Sequence, residues 1–119
     1  MIPSYMLSHI YVKGSLKNTE GGFEFTLKNT VDSGTIIGIG PLTVDDEGCP
    51  PASLSVTTRQ GQKRGDEISG RTPVYLPYGT EARIAVAGKT LGPGEHRIVL
   101  AVLTSEAGRL QIEFKDVVS

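Results

Sequence analysis

The stretch "GGFEFTLKN", Gly21–Asn29, alternates Phe23, Phe25 and Leu27 with Glu24, Thr26 and Lys28. A period of two places the three apolar side chains on one face and the polar ones on the other, as in a strand with one face in a core and one in water. A helical period of 3.6 would scatter the same residues around an axis. The alternation recurs outward along the chain. "RLQIEFKDV", Arg109–Val117, sets Leu110, Ile112 and Phe114 against Arg109, Gln111, Glu113 and Lys115. "EARIAVA" turns Ala82, Ile84 and Val86 inward, "SLSVTT" does so with Leu54 and Val56, and "SHIYVKG" with Ile10 and Val12. In "TLGPGEHRIVLAV" and the leucine after it, the residues beyond the Pro-Gly turn are apolar at successive positions from Ile98 to Leu103, so both faces of the strand are apolar, which predicts a central strand.

Between these runs lie turn residues, and no segment sustains a helical period. "GTIIGIGPLTV" is rich in β-branched residues but is interrupted by Gly38, Gly40 and Pro41, which predicts a bulge or a strand that changes sheets. About eight short antiparallel strands without crossover helices predict an all-β fold. The expected architecture is one immunoglobulin-like or fibronectin-like β-sandwich spanning residues 1–119. With 38% hydrophobic residues and no Trp, its core must be mainly aliphatic.

Composition excludes several functions. Twelve Lys and Arg against 13 Asp and Glu leave a net charge of -1, which lacks the basic stripe that phosphate backbones require, so no nucleic-acid partner is expected. The single cysteine, Cys49, excludes an internal disulfide and a Cys-rich zinc site. The opening "MIPSYMLSHIYVKGS" is too interrupted for a signal-peptide core, and no run approaches the roughly 20 apolar residues of a membrane span. No membrane contact and a cytoplasmic location are the expectation.

Catalytic signatures are weak. His9 and His96 both fall in strand patterns, and no G-x-S-x-G turn accompanies them, so a hydrolytic triad is not expected. His96, just past "GPG", is expected to hold the corner of a sheet. "DDE", Asp45–Glu47, lacks the spaced oxygen ligands of a calcium loop and reads as a solvated turn. "GIG", Gly38–Gly40, lacks the third glycine and the helix of a dinucleotide site. The chain is therefore expected to carry no catalytic set, no metal and no cofactor.

Contact with another chain is better supported. The segment from Arg59 to Pro73, "RQGQKRGDEISGRTP", reads as a long loop carrying Arg59, Lys63, Arg64 and Arg71, cations suited to acidic groups on a partner. Tyr75 and Tyr78, on either side of Leu76–Pro77, read as interface anchors or as lid residues over a sandwich end.

Four stretches in order, "GSLKNTEGGFEFTLKN", "GTIIGIGPLTVDDEGCP", "LGPGEHRIVLAV" and "GRLQIEFKD", resemble the small all-β subunit of bacterial C-glycoside deglycosidases. That resemblance implies an accessory subunit, non-catalytic or co-catalytic, of a lyase that cleaves a 3-oxo-C-glycoside. The implied partner is a larger sugar-isomerase-like TIM-barrel subunit that holds a divalent metal and the catalytic base. The sequence departs from the family where some members carry Tyr-Arg-Gly, since "NTVDSGTIIG" stands there. The alternative is a stand-alone carbohydrate- or protein-binding sandwich that self-associates as a homo-oligomer, although only 6% aromatic content disfavours a sugar-stacking platform.

Overall fold

The computed structural model describes residues 4–119, with side chains from Met6 onward. Residues 1–3, the start of the opening segment that was expected not to be a signal-peptide core, lie outside the described residues. Ten strands form two antiparallel sheets. The first contains β1 (Lys17–Thr19), β2 (Gly22–Lys28), β5 (Leu54–Thr58), β6 (Gly61–Arg64) and β8 (Glu81–Ala87), in the order β1-β2-β8-β5-β6. The second contains β3 (Gly34–Val44), β4 (Glu47–Cys49), β9 (Glu95–Thr104) and β10 (Gly108–Val117), in the order β10-β9-β3-β4; β7 (Val74–Leu76) pairs with β3. This is the expected all-β sandwich, with about ten strands rather than eight.

Alternation becomes burial. Phe23, Phe25 and Leu27 of β2 face inward against Ile84 and Val86 of β8, and Ile98 and Leu100 of β9 close the core from the other sheet. β9 runs between β10 and β3, the central position expected for it, although Leu103 on its outer face is 43% exposed. The interruptions in β3 appear as register shifts against β9 between Ile36 and Gly38 and between Ile39 and Leu42. β3 stays in one sheet and bulges rather than changing sheets.

The N-terminal segment departs from its expected strand. A short helix α1 (Ser4–Ser8) precedes a single bridge between Tyr11 and Leu27. Tyr11, not Val12, points into the core, because its ring stacks on Phe114 at 3.6 Å and 3° and meets Phe25 edge-on. Its hydroxyl donates to Asp116 Oδ2 at 2.7 Å and accepts from the Leu16 N–H at 3.1 Å. An aromatic that carries its own polar partner takes that site in place of Val12, while Ile10 stays partly buried against the core.

The 59–73 interval contains β6 and a one-turn 3-10 segment at Gly65–Glu67, and Ile68 anchors it in the core. Gly65 makes this path open to the chain, since a Cβ there would stand 2.4 Å from the Pro51 carbonyl oxygen. No helix among the described residues is long and apolar enough to cross a membrane.

Candidate functional site

The β3–β4 hairpin closes through Asp45 and Asp46, both in the left-handed region at φ 51° and 69°, so that Val44 pairs with Glu47. Two central residues at positive φ make the turn follow the twist of the strands. The Asp45 N–H donates to the Arg97 carbonyl at 2.8 Å, and Asp45 Oδ1 accepts from the Arg97 N–H at 2.9 Å. Its other oxygen, Oδ2, lies 2.6 Å from His96 Nδ1, while His96 Nε2 lies 2.8 Å from the Gly92 carbonyl.

Both ring nitrogens therefore face acceptors, and only the doubly protonated imidazolium donates to both. The Gly92 carbonyl, and after it the Asp45 carboxylate, raises the His96 pKa above its ordinary value. The Arg97 N–H, and after it His96, lowers that of Asp45. Around this pair, Arg97 bridges Asp46 at 3.3 Å and Glu113 at 2.8 Å, and Lys89 pairs with Glu47. Neither ring nitrogen is left to move a proton to or from a substrate, so the geometry is that of a charged corner clasp.

The six cations and tyrosines singled out from sequence separate into two sets. Lys63 Nζ donates to the Pro73 carbonyl at 3.1 Å, and Arg64 pairs with Asp66 at 2.5 Å, so both are engaged within the fold. The side chains of Arg59 and Arg71 make no hydrogen bond or ion pair with a described residue. Arg59 lines a shallow cleft with Gly79, Thr80 and Glu81, beside the turn that presents Tyr78. Tyr78 is 63% exposed and Tyr75 47%, the largest exposed aromatic surface among the described residues. The Tyr78 N–H donates to Ser33 Oγ at 2.9 Å, which ties this turn to the loop before β3.

That loop forms part of the mouth of a cavity that periodicity did not reveal. A space of about 420 Å³ opens at one end of the sandwich, where the ends of β2, β3, β7, β8 and the β9–β10 hairpin converge. Buried Asn29 organises the mouth. Its Nδ2 donates to the carbonyls of Asp32 and Leu76 at 2.7 and 2.8 Å, and its Oδ1 accepts from the N–H groups of Val31 and Asp32. All the hydrogen-bonding capacity of one buried amide thus links a loop to β7. Thr30–Gly34, "TVDSG", carries recognisable turn chemistry in sequence, but the partner strand 47 residues away does not.

Among the described residues no group of three or more His, Cys, Asp or Glu side chains is placed to hold a metal ion. No curated protein matches the chain. The model of the family described as hydroxymethylglutaryl-CoA reductase, N-terminal domain, matches residues 6–119. This match overturns the resemblance to the C-glycoside deglycosidase small subunit and the carbohydrate metabolism attached to it. The physical reason lies in the stretches that carried the resemblance, which are β1 to β4, β9 and β10 with their turns, patterns that any antiparallel sandwich requires. The sugar-isomerase-like barrel and its metal were inferred from that resemblance alone, and the stand-alone self-associating module gains no support from a family named for one domain of a larger enzyme. The chain, matched from Met6 to its last residue, belongs to the family of hydroxymethylglutaryl-CoA reductase N-terminal domains.

Proposed function

We infer that this chain serves as a non-catalytic assembly domain of an enzyme that reduces a coenzyme A thioester of the hydroxymethylglutaryl type. The observation that carries this reading is His96, whose two nitrogens are committed to Asp45 and Gly92 and so hold a hairpin corner rather than a reacting atom. Chemistry then falls to the remainder of the enzyme, and this domain contributes a rigid surface. Tyr75 and Tyr78 with Arg59 and Arg71 are the contact residues, because exposed aromatics and uncommitted guanidinium groups are what interfaces concentrate. Lys63 and Arg64 are engaged with the Pro73 carbonyl and Asp66 and are left out of that contact set. We place the enzyme in the cytoplasm.

Reduction of a thioester to the aldehyde level expels coenzyme A, so free thiol is the direct readout. With hydroxymethylglutaryl-CoA and a reduced nicotinamide, the chain alone should release none. Added to the catalytic domain of its own enzyme it should bind, His96→Gln should leave turnover of that complex intact, and Tyr78→Ala with Arg59→Ala should weaken association. Thiol release by the chain alone, lost in a fully folded His96→Gln variant, would overturn the assignment.

A further inference from the structure

The cavity at the sandwich end lies outside the assembly role. Its volume, about 420 Å³, falls within the roughly 300–1,000 Å³ typical of small-molecule sites. Ile39, Val56, Ile84 and Val102 of four strands from both sheets form its depth, and Leu110 and Ile112 line it from β10. Every large apolar side chain among the described lining residues is aliphatic, a lining that offers those residues' dispersion contacts to a flexible hydrocarbon chain and no stacking partner to a flat ring.

Charge at the mouth selects the head group. Asp32 and Glu106 stand there, and no Lys, Arg or His is among the described lining residues. Glu106 accepts from the Thr35 N–H and from the Thr35 hydroxyl, each at 2.8 Å, and Asp32 Oδ1 accepts from the Ser33 N–H at 2.8 Å. These bonds fix the carboxylates in place, and the pair of donors from Thr35 holds Glu106 below the usual carboxylate range. Two oriented anions beside an apolar interior repel a carboxylate or phosphate and accept from a hydroxyl or ammonium group. Asn29 preorganises the opening, so little ordering cost attends binding.

We propose that this cavity is a binding site for an aliphatic molecule with a hydrogen-bond-donating head, an alcohol or an amine, and that it rejects coenzyme A thioesters, whose phosphates and anionic acyl group meet only negative charge at the mouth.

Octylamine, 1-octanol and octanoate share one chain length and differ in the head, and their binding to the full chain can be followed by methyl-resolved carbon–proton NMR. Octylamine and 1-octanol should shift the Val56, Ile84 and Val102 methyl signals saturably, and octanoate should bind about tenfold more weakly than octylamine. Asp32→Lys, on an exposed loop, should narrow or invert that preference, and Ala82→Leu, which adds volume inside the cavity, should suppress binding of all three. Hydroxymethylglutaryl-CoA should leave these methyl signals unmoved. No saturable shift, equal affinity for the three heads, binding unchanged in Ala82→Leu, or a shift produced by the thioester would each overturn the proposal. The measurement involves neither turnover nor a partner, so its outcome is independent of the assembly reading.

Discussion

Replacing His96 with Ala removes two hydrogen bonds, one of them to a carboxylate. Both are donated by the imidazolium and so are charge-assisted, a class that contributes about 1.5–3 kcal/mol when well shielded and less where water screens it. The His96 ring is only 13% exposed, but its Asp45 partner is 51% exposed, so water screens the clasp and each bond is held to about 1 kcal/mol. The expected loss is about 2 kcal/mol, which for a chain of this length lowers Tm by about 8 °C. The pH dependence identifies the cause. Folding raises the His96 pKa, so the clasp contributes fully below the unfolded value of about 6.5 and fades as pH rises through the folded one. Folding lowers the Asp45 pKa, so its contribution is present above about 3.9 and is lost as pH falls through the folded value. The difference in Tm between wild type and His96→Ala, read by scanning calorimetry, should therefore be greatest between about pH 4 and 6.5 and shrink as pH rises through the folded value of His96. A gap of the same size in acid and in alkali would mean that His96 stabilises by packing alone, and no gap at all would refute the clasp.

Asn29→Ala leaves two carbonyls and two N–H groups at the cavity mouth without their partner, and a loss of about 2–4 kcal/mol is expected from urea unfolding; a loss under about 0.5 kcal/mol would show that water replaces the amide at little cost. Gly65→Ala forces the Gly65–Glu67 turn away from the Pro51 carbonyl and should cost about 1–3 kcal/mol, whereas unchanged stability would mean that this segment shifts freely. Arg64→Ala removes an exposed ion pair to Asp66 and should leave Tm unmoved within error, so a clear drop would assign Arg64 a structural role that its exposure denies.

Local pattern determined a good deal here. Phe23, Phe25 and Leu27 repeat with the period of a strand, and side-chain direction in a strand depends only on position along it, so β2, β8 and β10 and the inward faces of each could be read directly. The unbroken apolar run of β9 marked a central strand, and β9 does lie between β10 and β3. His96 as a corner residue was legible from the preceding turn. Its partner was not, because Asp45 lies 51 residues away and only the pairing of β3 with β9 brings the two together.

The same limit explains what the sequence misread. Tyr11 displaces Val12 from the core because Phe114, more than a hundred residues later, offers it a ring to stack on and Asp116 an acceptor for its hydroxyl. The family resemblance failed for a related reason, since alternation records that a strand is half buried and says little about which sandwich contains it. Strand order, the cavity between the sheets and the Asn29 link across its mouth all depend on which distant segments meet. That choice is made by the summed burial of both sheets against the entropy of closing the loops between them, a balance that belongs to the whole fold and to no single stretch of chain.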